Sequence, residues 1–315
     1  MKLQTVIEIE KPDFKLDYTT RIMLIGSCFV ENIGQKLDHF GFQVDINPCG
    51  IVYNPLSVAA SLNFILDHKR FLEADLLQND GKWVSLSHHG SFSAFQAEAC
   101  LQKINERLEK AAEHLRKTDV LMITWGTSWV YRYRKNGGVV SNCHKFPAAD
   151  FERFRLDEDE IFRVYTALIS KLQALRPDLK ILFTVSPIRH WKDGAHGNQL
   201  SKAVLLLAVD KLMRSFNCIS YFPSYEIVMD ELRDYRFYAE DMLHISQQGI
   251  DYIWEKFRDV YISKDAQVWM ERVGKLNKIL QHRSSDDTTD AYRSLREKTE
   301  QELREIKDRL GQHSG

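Results

Sequence analysis

Three residues, one near the start of the chain and two much later, have the types needed for nucleophilic catalysis. Ser27 ends a short apolar run, and Asp241 and His244 stand three positions apart much later in the sequence. A serine hydroxyl is a weak nucleophile at neutral pH, and it needs a base within hydrogen-bond reach that a third group orients. In a turn, an aspartate can accept from one nitrogen of a histidine three residues later and leave the other nitrogen free. Because geometry defines such a triad, the order of its members in the chain is no obstacle.

Each of these signals also has a structural interpretation. Phe29 and Ile33 recur at helical spacing behind Ser27, and serine is a favoured N-cap residue. On that stretch alone, a helix cap is favoured over a nucleophile. An aspartate three residues before a histidine is common by chance and usually lies in a solvated loop. The positions of these residues favour a catalytic role, because Ser27 follows the first predicted strand while Asp241 and His244 precede the last predicted core helix.

The apolar pattern predicts five buried strands that are separated mostly by helices. The strands are expected at residues 22–25, 41–46, 120–123, 179–185 and 218–222. Such alternation is typical of one parallel sheet covered on both faces, with ligand sites at the carboxyl ends of its strands. Residues 132–156 are predicted to make an excursion over the surface near this edge. A later helix is expected to begin at an Asn198 cap. The apolar residues expected along that helix are Leu200, Val204, Leu207, Ala208 and Leu212.

The character of the sequence changes after residue 263. Two helices with apolar stripes are predicted, with a polar break at residues 284–290 between them. A helical hairpin folded back on the domain is favoured over an intermolecular coiled coil, although the stripe is too short to decide. We therefore predict an α/β domain over residues 1–263 and a helical extension over residues 264–315. The extension offers a route to a homo-oligomer.

The composition argues against several classes of function. The chain has 44 acidic and 43 basic side chains and a net charge of -1, so electrostatics favour neither nucleic acid nor an anionic membrane as a partner. A membrane-spanning stretch and a signal-peptide pattern are both absent, so a cytoplasmic location is expected. The five cysteines are scattered and never form a Cys-x-x-Cys pair, which argues against a disulfide framework. The adjacent His88 and His89 point to different sides of the backbone, so no metal is predicted.

The residues around Ser27 resemble a known signature. Residues 26–30, Gly-Ser-Cys-Phe-Val, closely resemble the Gly-Ser-Cys-Phe-Ala motif of the GSCFA family, a bacterial group similar to the SGNH (GDSL-like) hydrolases. The resemblance spans residues 20–260. It implies a three-layer α/β/α flavodoxin-like sandwich with a five-stranded parallel sheet, and ester or acyl-group chemistry without a metal or cofactor. It also implies that Ser27 is the nucleophile, His244 the base and Asp241 the group that orients the base.

The same resemblance implies which groups stabilise the oxyanion. Gly50 matches the glycine whose backbone N–H, with that of Ser27, faces the developing negative charge. SGNH enzymes use an asparagine as a third donor, whereas Ser128 stands at the matching position here. A hydroxyl from Ser128 or Thr127 can donate in its place, although it is shorter and rotates freely.

Residues at the ends of two further strands are predicted to contact substrate. Arg189 and His190 follow the fourth strand, and Trp125 ends the third. The guanidinium fork of arginine suits a carboxylate or a phosphate. The alternative for Arg189 is an ion pair with an acidic loop residue such as Asp193. Cys28 is expected to point into the seam between sheet and helix, away from the site.

These observations predict a serine esterase that removes an O-acetyl or other acyl group from a carbohydrate through an acyl-enzyme. Its expected partner is a small-molecule or carbohydrate ester, with no nucleic acid and no membrane. Acyl transfer to a sugar would use the same residues. A hypothesis of a different class is a binding module that kept the fold and lost efficient catalysis, since the expected asparagine is missing.

Overall fold

The computed structural model describes residues 4–281 and 290–310. The strands are β1 Arg21–Gly26, β2 Gln43–Ile46, β3 Leu77–Asn79, β4 Lys82–Val84, β5 Val120–Trp125, β6 Trp129–Tyr133, β7 Val139–Val140, β8 Phe151–Arg155, β9 Lys180–Val185 and β10 Ile219–Tyr221. The helices are α1 Cys28–His39, α2 Pro55–Leu66, α3 Ala97–Leu115, α4 Glu158–Leu175, α5 Gly194–Ser215, α6 Ser224–Glu226, α7 Gln247–Tyr261, α8 Lys264–Gln281 and α9 Asp290–Arg309.

Five of the strands form one parallel sheet, in the order β10-β9-β5-β1-β2. In its register, Ile25 of β1 lies opposite Ile123 of β5, which lies opposite Phe183 of β9. The central strands are apolar along most of their length because both of their faces are covered. The structure thus confirms the predicted five-stranded parallel sheet, with each strand where the apolar runs indicated.

Helices cover the sheet on both sides and complete the predicted three layers. One face packs against α2, α3, α4 and α5, and the other packs against α1, α7 and α8. Successive side chains of a strand point to opposite faces, so Met23 and Ile25 contact the first layer while Ile22 and Leu24 contact the second. The α/β/α fold class is therefore confirmed.

Several helices begin after a side chain that accepts from one of their free N–H groups. Ser27 caps α1, Asp157 caps α4 and Ser246 caps α7. Asn54 caps α2, and Pro55 at the first helical position needs no N–H partner. The caps of α1 and α7 matter for chemistry, because Ser27 is itself a candidate nucleophile and Ser246 follows closely on the candidate base.

The segment predicted as a surface excursion near the site folds as a small sheet. Strands β6, β7 and β8 pair in the antiparallel order β7-β6-β8. Arginines and a glutamate are interspersed there with aromatic residues, and the strands are only partly buried. Because charged side chains interrupt the apolar pattern, the strands were not recognised in the sequence.

Two expectations about α5 are corrected. The helix begins at Gly194, so Asn198 lies inside it, where its side chain accepts from the His190 N–H at 3.1 Å. Leu200 and Leu207, expected on the buried face, are exposed. The buried side chains of α5 are Asn198, Ser201, Lys202, Leu205, Ala208, Val209 and Leu212. The helix is apolar on several sides, and for that reason the sequence pattern did not identify the buried one.

The two C-terminal helices are present and pack as a hairpin within the chain. Val273 and Leu276 of α8 contact Ile306 of α9, while Ala266 and Met270 of α8 join the core beside α1 and α7. Residues 282–289, where most of the predicted polar break falls, lie outside the described residues. The division at residue 263 and the homo-oligomer stay predictions. Across the described residues, no helix combines the length and the apolar character needed to cross a bilayer.

Candidate active site

The corner between β1 and α1 is held tightly around Ser27. Gly26 has φ +140°, its N–H donates to Asn47 Oδ1 at 2.9 Å, and a Cβ there would lie 2.2 Å from the Thr124 carbonyl oxygen. No larger residue fits at this corner. Ser27 is buried, and its Oγ accepts from the Phe29 N–H at 3.4 Å. Its own N–H makes only a long bond of 3.4 Å to Thr124, so that N–H remains a candidate oxyanion donor.

Asp241 and His244 are joined across a tight turn before α7. Asp241 Oδ2 lies 2.5 Å from His244 Nδ1, while Oδ1 accepts from the N–H groups of Leu243 and His244 at 2.9 Å each. Met242, with φ +58°, closes the turn. The hydrogen bond to His244 is the main reason that the pKa of Asp241 is lowered to about 2. Because a carboxylate only accepts, Nδ1 carries a proton, which leaves Nε2 as the ring nitrogen available to accept one.

One cavity of about 620 Å³ lies at the carboxyl edge of the sheet. Ser27 and His244 both line it, together with Thr127, Arg189 and His190. Within the described residues, Ser27 Oγ forms no hydrogen bond to His244. Catalytic hydrogen bonds are often loose before substrate binds and tighten in the complex.

Two predicted oxyanion donors are oriented away from this cavity. The Gly50 N–H donates to the Asn47 carbonyl oxygen at 2.8 Å. Gly50 has φ +77°, and a Cβ there would lie 2.2 Å from His89 Cβ, so a turn and close packing explain the glycine. Ser128 is fully buried, and its hydroxyl donates to a neighbouring serine. The geometry does not support these two roles, which leaves Thr127 as the side-chain donor.

Hydrogen bonds around Ser201 determine where the Thr127 proton points. Ser201 Oγ accepts from the Ser128 N–H at 2.8 Å and from the Ser128 hydroxyl at 3.2 Å. With both lone pairs used, Ser201 donates its own proton to Thr127 Oγ1, 3.1 Å away. Thr127 Oγ1 also accepts from the Trp129 N–H at 3.1 Å. Its own proton has no acceptor in this network, so it remains available to a ligand in the cavity that Thr127 lines.

Two predictions about substrate contacts are corrected. Trp125 is fully buried and donates its ring N–H to Tyr165 at 2.8 Å, so it belongs to the core and not to the cavity lining. Asp193 does not pair with Arg189, because it forms its ion pair with Arg153. Arg189 lines the cavity, and its side chain lies 3.5 Å from the Met229 sulfur.

His190 and Cys28 both line the cavity, but neither is set up to react. Burial, followed by the charge of Lys202, lowers the pKa of His190 to about 4, so its ring is neutral near pH 7. Cys28 is half-buried and faces the cavity rather than the predicted seam. Burial raises the pKa of its thiol, which disfavours the reactive thiolate.

Lys202 is a candidate functional residue that the sequence interpretation missed. It is 1% exposed, and its Nζ donates to the carbonyl oxygens of Gly126 and Ser186 at 2.6 Å each. These carbonyls follow β5 and β9, so the lysine joins the ends of two neighbouring strands beside the cavity. Burial lowers its pKa to about 7. A lysine on the buried face of a helix would have indicated such a role, but the sequence pattern did not identify the buried face of α5.

The small antiparallel sheet supplies an aromatic and basic wall that was also missed. Arg153 of β8 lies 4.2 Å from the ring centre of Trp129 of β6, and Lys192 donates to the Tyr131 hydroxyl at 2.7 Å. Trp129, Arg153 and Asp193 each have one buried polar atom without a hydrogen-bond partner among the described residues. Such orphaned atoms are uncommon, and they mark this wall as a place where a polar ligand or water fits.

The part of the chain that the structure describes contains no group of three His, Cys, Asp or Glu residues placed to hold a metal. His88 is buried among aromatic rings, with Nδ1 2.9 Å from the Ser85 hydroxyl. Burial lowers its pKa to about 3, as expected for a core histidine.

The family follows from a comparison with family models. The model of the GSCFA family matches residues 21–257, a span that includes the sheet and every candidate residue named above. The chain belongs to the GSCFA family. A search of curated proteins found no match.

Solved structures with a similar chain path are distant from this GSCFA protein. The family 3 carbohydrate esterase of Clostridium thermocellum is 11% identical, over 81% of this chain and 99% of that one, with a TM-score of 0.36. The carbohydrate esterase family 3 protein of Talaromyces cellulolyticus is 10% identical, over 80% and 99%, with a TM-score of 0.38. The periplasmic domain of a lipopolysaccharide acetyltransferase from Salmonella ser. Paratyphi A is 11% identical, over 76% and 83%, with a TM-score of 0.34.

Proposed function

We propose that this protein is a serine hydrolase that cleaves an ester through an acyl-enzyme. The observation that carries the proposal is that Ser27 and His244, the latter bonded to Asp241, line one cavity at the carboxyl edge of the sheet. The nucleophile, the base and the orienting carboxylate are thus available on one side of the molecule. A serine with a histidine that is itself fixed by an acid is the arrangement that nucleophilic catalysis requires.

The reaction follows from the hydrogen bonds of these residues. Ser27 Oγ attacks the acyl carbon while His244 Nε2 takes its proton. The Ser27 N–H and the Thr127 hydroxyl donate to the oxyanion that forms on the former carbonyl oxygen. His244 returns the proton to the leaving alcohol as the C–O bond breaks, which gives an acyl-enzyme. A water molecule then attacks with His244 again as base, and the acid and free Ser27 are released.

The substrate we propose is an O-acetyl or other acyl group on a carbohydrate. Trp129 and Tyr131 line the cavity, and Trp191 at its rim is half exposed. Aromatic rings present a flat apolar face, which suits the C–H side of a sugar ring, while nearby polar groups bind hydroxyls.

The location we propose is the cytoplasm. The five free cysteines support a location in a reducing compartment.

The acyl acceptor distinguishes a hydrolase from a transferase. We propose water, and a sugar hydroxyl would use the same acyl-enzyme. Incubating the protein with an acetyl ester and a tenfold range of free sugar separates the two. A hydrolase releases acetate at a rate independent of the sugar, whereas a transferase yields acetylated sugar in proportion to it.

A binding module is the second candidate, because the Gly50 and Ser128 donors are turned away from the cavity. Turnover of 4-nitrophenyl acetate by the wild type, Ser27→Ala and His244→Ala decides between the two functions. The hydrolase proposal expects turnover that both substitutions reduce to background. Activity that survives Ser27→Ala, or a folded wild type without activity on any short ester, would contradict it.

A further inference from the structure

The cavity that holds Ser27 carries more positive than negative charge. Its described lining includes Arg153, Arg189 and Lys192, but Asp193 is the one acidic residue within that lining. Arg153 forms an ion pair with Asp193, and the two charges cancel. Arg189 and Lys192 are left without a carboxylate in the described part of the wall. Outside the lining, Asp241 is bonded to His244. Glu31 acts electrostatically on Cys28 and Tyr53, and Glu226 and Asp230 act on Tyr225.

Arg189 is placed to bind a ligand in the cavity rather than to stabilise the fold. It follows β9, lines the cavity and is half-buried. Its one hydrogen bond among the described residues is a long contact of 3.5 Å to the Met229 sulfur, which is a weak acceptor. Its other electrostatic neighbours include the phenols of Tyr225 and Tyr238 and the ammonium group of Lys202. Most of the five N–H donors of this guanidinium therefore remain available, in a geometry that matches two oxygens of one anion.

Lys192 adds to the positive potential around Arg189, and Lys202 does so below its pKa of about 7. Lys192 donates to the Tyr131 hydroxyl at 2.7 Å, which is a neutral partner that leaves its charge uncompensated. Lys202 is buried beside the cavity against two carbonyl oxygens, and it lies within electrostatic range of Arg189. Charges of one sign in a cleft with low-dielectric walls reinforce one another, and they favour a ligand of the opposite sign.

We propose that the acylated substrate of this cavity carries a second, anionic group, a carboxylate or a phosphate, which Arg189 binds while Ser27 attacks the ester. The inference rests on the proposed esterase function, and it narrows the substrate class from carbohydrate esters to acidic ones. Ser27 follows β1 and Arg189 follows β9, with β5 between them in the sheet. The acyl group and the anion thus occupy different sides of one cavity, and the sugar ring spans the distance between them.

Binding to Ser27→Ala protein tests the proposal without turnover. Isothermal titration would compare three ligands of similar size: an O-acetylated methyl glucoside, the corresponding methyl glucuronide and an O-acetylated glucose 6-phosphate. We expect at least one charged ligand to bind about 10-fold to 100-fold more tightly than the glucoside, as for a charge-assisted hydrogen-bonded pair. Whether the glucuronide or the phosphate binds more tightly identifies the anion.

Substitution of Arg189 in the same background assigns the preference to this residue. Arg189→Gln is expected to remove it, and Arg189→Lys to keep part of it because the charge remains without the fork. Arg132→Gln is the matched control, since Arg132 is paired with Glu152 outside the cavity lining, and it should leave the preference intact. Equal affinities for the three ligands, no binding by folded protein, or a preference that survives Arg189→Gln would overturn the proposal.

The outcome also separates this inference from the proposed function. Fluorophosphonate labelling of Ser27 in the wild type, without any charge preference in the titrations, would refute the anionic substrate and leave the esterase. A charge preference lost in Arg189→Gln, without labelling of Ser27, would retain the anion site and refute the esterase.

Discussion

The hydroxyl of Thr127 is oriented by its neighbours. Ser128 fills both lone pairs of Ser201, Ser201 then donates to Thr127, and the Trp129 N–H occupies the remaining lone pair of Thr127. A hydroxyl is usually a poor substitute for an amide donor because it rotates. Here the rotation is restricted before substrate arrives, which is what electrostatic stabilisation of a transition state requires.

We expect Thr127→Val to lower kcat for 4-nitrophenyl acetate about 100-fold with little change in KM, because the lost hydrogen bond forms mainly in the transition state. Steady-state kinetics measure both constants. Thr127→Ser keeps the hydroxyl and should retain most of the activity. An unchanged kcat in the valine variant, or an equal loss in the serine variant, would show that the hydroxyl is not a donor.

Lys202 should make stability depend on pH. Its pKa is about 7 in the folded protein and 10.5 in a model peptide. Between these values the unfolded chain binds a proton that the folded protein has released, so this lysine makes the unfolding free energy rise with pH. Below pH 7 the cost of burying its charge is fully present. We expect the difference in unfolding free energy between wild type and Lys202→Met, from urea titrations at pH 7 to 10, to shift in favour of the wild type as pH rises. A constant difference would show that Lys202 keeps its charge.

Single residues differ in how far the sequence could identify them. Asp241 and His244 are three apart in a turn, and that local spacing was sufficient to predict their contact. Trp125 could have been placed correctly, because strand alternation puts it on the same buried face as Leu121 and Ile123. The direction of the Gly50 N–H could not be predicted, because it depends on how the turn packs against His89.

Strands β6 to β8 form a wall of the cavity, and the apolar pattern did not predict them. They bring Trp129, Tyr131 and Arg153 to the cavity. The apolar pattern identifies elements that are buried on a whole face, and the five core strands satisfy it. A small sheet with one solvent-exposed face and charged side chains does not satisfy it, so the apolar pattern did not predict this wall of the cavity.

Helix α8 joins the core of the sheet domain, and this packing bears on the predicted division at residue 263. Met270 is 3% exposed and packs in the cluster that contains Trp254 and Phe257, whereas Val268 on the opposite side is 72% exposed. We expect Met270→Ala to lower the unfolding free energy by about 2–5 kcal/mol, the usual cost of such a truncation in a core. Val268→Ala, the control, should change it by less than about 0.5 kcal/mol. Chemical denaturation measures both, and a neutral Met270→Ala would favour a separate C-terminal unit.

At the scale of the molecule, the parallel topology explains why distant residues meet. Ser27, Thr127, Arg189 and His244 each come after a strand of the same sheet, and the carboxyl ends of parallel strands share one edge. That much could be predicted from five apolar runs and the residues behind them. The distance between Ser27 and His244 could not be predicted from the sequence. It depends on the long connection from β10 to α7, which has no repeating apolar pattern.

The measurement that tests the central claim most directly is the site of covalent labelling by a fluorophosphonate, found by mass spectrometry of peptides from the folded protein. The account predicts an adduct on Ser27, lost in Ser27→Ala and formed at least about 100-fold more slowly in His244→Ala, since general-base catalysis contributes that much. An adduct on Cys28, or an unlabelled Ser27 in a protein shown to be folded by circular dichroism, would contradict it.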